Sequence, residues 1–563
     1  MTEAPLNRRE TYLKRFNALK AERDASWLPH WRELAENIRP RAYRTLQNDA
    51  ERGGEKKHSK IINSTPTDAA RTLASGMMAG ITSPSRPWFR FTLQDVKQGK
   101  DPAAKEWLNE LENVVRESLA KSNVYKGLHG SYSDLGPFGT AVFWLDEDAE
   151  DGMRAYVLPP GSYVLANSSR MAIDTCYREM SLTVAQLVEM FGEEKCSHTV
   201  REQWRNKQLD VRHEVLHLIE PNRDYVEGKL GPKGKKYLSA WMEVRSTDSV
   251  QGLDGLLRES GYEEFPVMAP RWETTGEDVY GSSPGMAALG DCKALQHLEK
   301  RAALAVDKVV NPPMQMPVQL QHGNVSLLPG DKVFVDSLTP QQVVRPAMEV
   351  NPNAISIFDL KIARHEDRIK RAFYADLWLA LTQSDGQMTA REVVERREEK
   401  LLQLGTVLEN LQDELLDPLL ERVIAILMRQ GRLPPAPPEI AGQEMKVEYT
   451  SIMAQAQKLI ATTGLERIAS FVGNLKIVAP EAMDNLDVDK LVAAYSDALG
   501  VPANTLRPAK VVEQIRKARA AAQQQQMATE QAAETAATAK TLGDTSMEGP
   551  NALNEMLKGV GAR

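Results

Sequence analysis

Leu401, Leu404, Leu408, Leu411 and Leu415 follow one another at helical steps, which confines residues 389–431 to a helix with one apolar edge. Its start carries Thr389-Ala390-Arg391-Glu392, where threonine and glutamate can satisfy free backbone N–H groups reciprocally. It stops at Gly431, with Pro434 and Pro435 beyond. At about 1.5 Å per residue it would span on the order of 60 Å. A seam of that length asks for a partner helix. Pro418 lies inside the pattern and removes a backbone bond, which predicts a kink near 414–418. The other reading is two consecutive helices with a break at Asp417-Pro418.

The rest of the chain is organised around this segment. Residues 1–280 read as mixed α+β. A helix over the first 40 residues carries Tyr12, Leu13, Phe16, Leu19, Trp27, Leu28, Trp31 and Leu34, with Pro29 expected to break it in two. A second helix is expected at 65–80, opened by Thr65-Pro66. Further helices are expected at 101–121, 124–135 and 181–192, and strands at 140–145, 154–158, 211–219 and 239–246. Residues 281–311 form a helix ending at Asn311-Pro312-Pro313, followed by a Pro- and Gly-rich, β-rich stretch at 312–351. A returning helix occupies 352–381, and a polar loop, 382–388, leads into the long helix. Residues 432–500 hold a proline-rich linker, a short strand at 446–451 and helices. The segment 501–563 is an Ala- and Gln-rich helix passing into a mobile tail.

Composition limits the function classes. With 563 residues, 42% hydrophobic and 26% charged, the chain reads as an ordinary soluble multi-domain protein. No window offers about 18 consecutive apolar residues, so a membrane span is not expected. The start has no apolar stretch behind its basic residues, so no secretory signal is expected. Cys176, Cys196 and Cys292 are few and widely separated, which suggests neither a disulfide framework nor a zinc cluster. A formal charge of -7 argues against a protein that grips nucleic acid by its phosphates and suits a conduit with local basic groups.

One string imitates a catalytic motif. His213-Glu214-Val215-Leu216-His217 matches the HExxH zinc-protease pattern, which needs a helix to bring both histidines to one metal. Here Val211, Val215 and Ile219 are β-branched at alternating positions, and Pro221 follows. As a strand, the two histidines would lie about 13 Å apart at roughly 3.3 Å per residue, too far to share an ion held at about 2.1 Å. A zinc hydrolase using His213, Glu214 and His217 is the alternative reading. No Walker A sequence and no GxSxG elbow occurs; Gly231-Pro232-Lys233-Gly234-Lys235-Lys236 is a basic turn without the phosphate-loop spacing. No catalysis and no cofactor are expected.

Several strings, in order, carry a resemblance. They are Asn63-Ser64-Thr65-Pro66-Thr67-Asp68-Ala69-Ala70-Arg71-Thr72-Leu73-Ala74-Ser75-Gly76, Thr82-Ser83-Pro84, Pro87-Trp88-Phe89, Ser122-Asn123-Val124-Tyr125 and Phe138-Gly139-Thr140-Ala141. Next come Pro270-Arg271-Trp272, then Gly276-Glu277-Asp278-Val279-Tyr280-Gly281-Ser282-Ser283-Pro284-Gly285, then Met388-Thr389-Ala390-Arg391-Glu392-Val393. Together, from about residue 10 to 520, they resemble the head-to-tail connector, or portal, proteins of podoviruses. Ser282 departs from the pattern, since the family often has arginine there.

The resemblance implies an α+β, predominantly helical portal-type subunit with wing, stem, clip, tunnel loop and crown. Copies would form a ring, dodecameric in the family, around a central channel. The wing would be 1–280, the stem 281–311 and 352–381, the clip 312–351, the tunnel loop 382–388 and the kinked wing helix 389–431. Wing completion and the start of the crown would fall in 432–500, and the crown helix and tail in 501–563. The apolar faces of such helices are expected to be covered by neighbouring subunits. The implied partners are double-stranded DNA, the terminase large subunit, major capsid and scaffolding proteins, and tail or adaptor proteins, with no membrane. The implied location is the portal vertex of the virion, after assembly in the host cytoplasm. A ring-forming tail adaptor without DNA translocation is a further alternative.

Two sets of residues are candidates for contact with DNA. Gln383, Ser384, Asp385, Gly386 and Gln387 would ring the channel as tunnel loop, or form a plain helix–helix connection. Lys361, Arg364, Arg368 and Arg371 make one basic stripe, separate from an apolar stripe of Ile355, Phe358, Ile362, Ile369 and Phe373. The basic stripe faces the channel, lines an inter-subunit seam, or is a solvated face paired with carboxylates such as Glu366 and Asp367.

Overall fold

Trp31 and Leu34 are fully buried one helical turn apart, and the first helix, α1 (Arg8–Asn37), carries them into the main core. The break expected at Pro29 does not occur: Pro29 lies inside one uninterrupted helix. Its missing N–H removes a single bond, and the buried turn around Trp31 and Leu34 outweighs that loss. The computed structural model describes residues 8–42, 46, 61–93, 102–245, 255–310, 314–315, 345–346, 352–382, 404–438, 445–450, 468–474, 486–499 and 509–543. They fall into two units, Met1–Ala461 and Thr462–Arg563.

Helix α2 (Thr65–Gly80) begins one step away from the expected cap. The Asn63 side chain, not Thr65, accepts the Thr65 N–H at 2.9 Å, and Pro66 occupies the first turn. There follow β1 (Phe89–Leu93), α3 (Pro102–Lys121), α4 (Val124–Phe138), β2 (Val142–Asp148), β3 (Gly152–Leu158), β4 (Tyr163–Asn167) and β5 (Ile173–Thr183). Then come α5 (Val184–Phe191), α6 (His198–Arg205), β6 (Arg212–Pro221), β7 (Tyr237–Glu243), β8 (Arg258–Tyr262) and β9 (Val267–Met268). Strands β4 to β8 make an antiparallel sheet in chain order, and β3-β2-β9 make a smaller one.

Alternation along β6 explains how the larger sheet is covered on both faces. Leu216 and Leu218 point to one side, where Phe16 of α1 packs with Tyr177, Leu238 and Met242. Val215 points to the other, against Val184, Leu187 and Phe191 of α5 and Val200 of α6. A Thr183–Gln186 capping box starts α5, and Ser197 caps α6.

A 27-residue helix, α7 (Pro284–Val310), leads to a short antiparallel strand pair, β10 (Met314–Gln315) and β11 (Arg345–Pro346). Most of the expected clip lies outside the described residues. Return is by α8 (Pro352–Ala372), antiparallel in sequence order to α7 and packed along it. The single returning helix expected here is two: Tyr374 adopts a left-handed backbone (φ 54°), and α9 (Ala375–Thr382) starts anew. The turn sinks Phe373, Leu377 and Trp378 into the core. Trp378 lies across α2 at Gly76 and Gly80, where a Cβ would collide with the indole.

From Leu404 the chain runs through α10 (Gly405–Leu411), a π-helical turn at Gln412–Leu416 and α11 (Asp417–Arg429). The strand β12 (Met445–Tyr449) then pairs with β1. Here one expectation is corrected. Leu404, Leu408, Leu411 and Leu415 are buried in the main core of their own chain, not left for a neighbouring copy. The cluster that buries them also holds Trp272, Tyr280, Phe373 and Trp378, residues remote in sequence that the seam alone could not identify. Leu401 and the Thr389–Glu392 box lie outside the described residues.

The second unit contains α12 (Val488–Leu499) and α13 (Ala509–Gly543), joined by a two-pronged Arg516–Asp489 pair at 2.6 Å. Helix α13 runs through the Ala- and Gln-rich stretch, Gln523 to Gln526 included.

Candidate functional site

Three of the strings that carry the family resemblance, 138–141, 270–272 and 276–285, meet in space. Helix α4 ends at Gly139, whose left-handed backbone (φ 76°) lets it lie against the Gly281 carbonyl; a Cβ there would overlap that oxygen. The Gly281 N–H donates to Thr140 Oγ1 at 2.8 Å, and the Trp272 N–H donates to the Gly139 carbonyl at 2.9 Å. Ser283 Oγ donates to the Pro137 carbonyl at 2.8 Å and accepts the Met286 N–H at 2.9 Å, which caps α7. Tyr280 accepts the Leu165 N–H through its hydroxyl and packs on Trp27 and Trp31. The origin of the first long hairpin helix is thereby fixed to the end of α4.

Arg271 ties this junction to the π turn. Glu414 Oε2 accepts the Arg271 backbone N–H at 2.8 Å, and Glu414 Oε1 accepts from Nε at 2.9 Å and from Nη2. The remaining donors reach the carbonyls of Asp278 and Met171 at 3.1 and 3.0 Å. The arginine side chain is only 7% exposed, so all of this replaces water. A π turn inserts one residue into the helical register, and Glu414 stands inside it. Just beyond, the Tyr449 hydroxyl donates to Asp417, whose carboxyl is pushed upward by burial. Sequence reasoning missed Glu414. The available signal was the acidic pair Asp413-Glu414 between Leu411 and Leu415, just ahead of Pro418. Ser282, where the family often has arginine, donates its N–H to the Glu273 carbonyl at 2.8 Å.

The basic stripe lies along α8, and its members differ. Arg371 pairs with Asp367 at 2.7 Å, and Arg368 approaches Asp291 of α7 at 3.6 Å, beside His365. Lys361 and Arg364 are exposed and have no carboxylate partner among the described residues. Of the apolar stripe, Ile369 and Phe373 are buried and Phe358 and Ile362 partly so. Outside that stripe, Leu304, Val306, Val309 and Val310 of α7 and Ile357 and Leu360 of α8 remain exposed. The proposed loop residues Gln383, Ser384, Asp385, Gly386 and Gln387 lie outside the described residues.

His213 and His217 stand on strand β6, as the alternation of its β-branched residues indicates. His217 is fully buried. Its Nδ1 accepts from Arg178 Nε at 2.9 Å, which makes Nε2 the protonated nitrogen, donating to Ser239 Oγ at 2.9 Å. The ring stacks on Trp241 at 3.9 Å, and the Arg178 guanidinium lies 3.8 Å from the Trp144 ring centre. Burial, then the neighbouring arginines, hold the imidazole well below its ordinary 6.5; burial likewise brings Arg178 down to about 10. His213 contacts Gln203 at 2.6 Å. With both nitrogens of His217 engaged and His213 four residues along a strand, the pair cannot converge on one ion.

Comparison with known proteins agrees with the sequence strings. The family described as bacteriophage head to tail connecting protein matches residues 9–506. A portal protein of Salmonella phage epsilon15 is 43% identical over 559 residues, covering 98% of this chain and 99% of that one. A probable portal protein of Bordetella phage BPP-1 is 41% identical over 557 residues, with 98% of both chains covered. Among solved structures, a chain from the neck of an empty GTA particle aligns over 73% of this chain and 86% of its own, with 11% identity and a TM-score of 0.33.

Proposed function

The chain belongs to the bacteriophage head-to-tail connecting protein family and serves as a phage portal; on that premise we propose that identical copies, twelve by family resemblance, close into a ring at one capsid vertex. The ring passes double-stranded DNA inward during packaging and outward at infection. It docks the terminase large subunit first and tail or adaptor proteins afterwards, amid capsid and scaffolding proteins, and performs no catalysis itself. The observation that carries this reading is 43% identity to a portal protein along essentially the whole of both chains.

The physical support lies in the α7/α8 hairpin. Its six exposed aliphatic side chains are left uncovered among the described residues, and side-by-side copies in a cyclic ring would supply the cover. In this arrangement Lys361 and Arg364 line the channel as weak phosphate contacts, 383–387 form the tunnel loop, and Pro418 marks the flexing point of the wing helix. The charge of -7 suits passage over grip. Negative-stain images of purified full-length chain test the reading: rings with a hole wide enough for duplex DNA are expected. A chain that stays monomeric under assembly conditions overturns it, and rings without such a hole favour a tail adaptor.

A further inference from the structure

The connection between β6 and β7, residues 222–236, is long for a hairpin and is nonetheless tightly folded. Asn222 Nδ2 donates to the carbonyls of Pro232 and Lys235 at 3.0 and 2.8 Å, and the Val226 N–H donates to the Lys233 carbonyl at 2.8 Å. Gly231 turns in the left-handed region (φ 87°), and a Cβ on Gly234 would overlap the Lys229 carbonyl. This internal bracing displays apolar side chains outward: Leu230 is 97% exposed, Val226 51% and Tyr225 37%. Around them stand Arg223, Lys229, Lys233 and Lys236, all exposed and without carboxylate partners among the described residues. Lys235 instead pairs with Glu263, and Asp224 with Arg8. A chain of net charge -7 thus carries a locally basic tip with an unburied leucine at its apex.

We propose that the 222–236 loop is a docking tip for a protein partner with an apolar recess rimmed by carboxylates. Cations alone would suit nucleic acid, but the apex of Leu230, Val226 and Tyr225 contributes nothing to phosphates. A rigid, preformed apolar knob encircled by charges is the arrangement of a protein hot spot: the knob supplies affinity and the rim supplies approach and register. Preorganisation also spares the ordering cost a flexible loop would meet.

The choice of probe rests on the conduit reading, which places the chain among shell subunits; the probe is the purified shell protein of the same phage. Full-length chain, unaltered or as Leu230→Asp or the double change Lys229→Glu with Lys233→Glu, is present during shell assembly, and its incorporation per sedimented shell is measured. Because these side chains are exposed, both variants should fold and form rings normally in negative stain, with incorporation reduced at least tenfold. Undiminished incorporation of both variants overturns the proposal. So does a tenfold loss of duplex-DNA or anionic-vesicle binding in Leu230→Asp with shell incorporation intact. If the unaltered chain forms no rings, the conduit reading fails separately. The tip is then judged by shell-protein binding to single subunits, where the same tenfold difference is required.

Discussion

Arg271 and Glu414, 143 residues apart, meet through three hydrogen bonds that join the 270–285 segment to the π turn of the long helix. Truncating Glu414 leaves a buried guanidinium and a backbone N–H unpaired, which typically costs about 3–5 kcal/mol. Glu414→Ala should therefore lower the urea midpoint of the isolated subunit sharply. Replacing both residues at once, as Arg271→Met with Glu414→Leu, should cost clearly less than the sum of the single changes. Additive losses in equilibrium unfolding would mean that the two side chains act independently.

Gly76 and Trp378 make the second junction. The indole occupies the volume a side chain on α2 would need, so Gly76→Val forces overpacking, at about 1–3 kcal/mol. Trp378→Leu in the same chain should recover part of the loss, and thermal unfolding of the single and double variants checks this.

Much of the fold was legible because the pattern was local. Alternating β-branched residues placed His213 and His217 on a strand, and Asn311-Pro312-Pro313 marked the end of α7 at Val310. What stayed hidden depended on contacts remote in sequence. The leucine edge announced a partner but not that the partner lay in the same chain. Phe373 and Trp378 read as helix until the core that draws them in, through the Tyr374 turn, was known. Arg271 stood in a recognisable string, yet nothing near it pointed to an acid 143 residues away. The basic stripe was visible as spacing; which of its members are paired within the subunit was not.

Two buried groups pull the pH dependence of stability in opposite directions. His217 is held far below 6.5, so the unfolded chain binds its proton first; its contribution is present above pH 6.5 and lost as pH falls through that value. Burial raises Asp134 to about 6 from 3.8, against the pull of Arg39, so its contribution is full below pH 3.8 and lost as pH rises to about 6. Each acts with at most about 1.4 kcal/mol per pH unit. Between pH 4 and 6, His217→Gln should therefore tilt stability towards acid relative to the unaltered chain. Asp134→Asn should tilt it towards neutral pH. Urea midpoints measured across this range give both slopes, and parallel curves would contradict the assignment.

Pro418 stands just beyond the π turn, with Asp417 between, where it can offer no N–H to the preceding carbonyls. With alanine there, an unbroken α-helical ladder becomes available through 412–420, and the helix stiffens. Pro418→Ala should leave ring assembly near normal and reduce the DNA packaged per head. Heads filled to the usual length by that variant would remove Pro418 from the mechanism.

The stripe on α8 gives a cleaner separation of roles. Arg371 and Arg368 have acidic neighbours in their own subunit, Asp367 at 2.7 Å and Asp291 at 3.6 Å. Exposed pairs of this kind contribute at most about 1 kcal/mol, so removing them should alter subunit stability slightly. Lys361 and Arg364 have no such obligation among the described residues and are the members available to phosphates. Changing both to glutamine should leave the unfolding midpoint unchanged. On the proposed channel position, the same change would remove two positive charges per subunit, multiplied by the copies in the ring, and would weaken a salt-dependent contact with DNA. Packaging or ejection rates measured at two ionic strengths should then depend less on salt in the double variant. An unaltered salt dependence would place these side chains away from the DNA path.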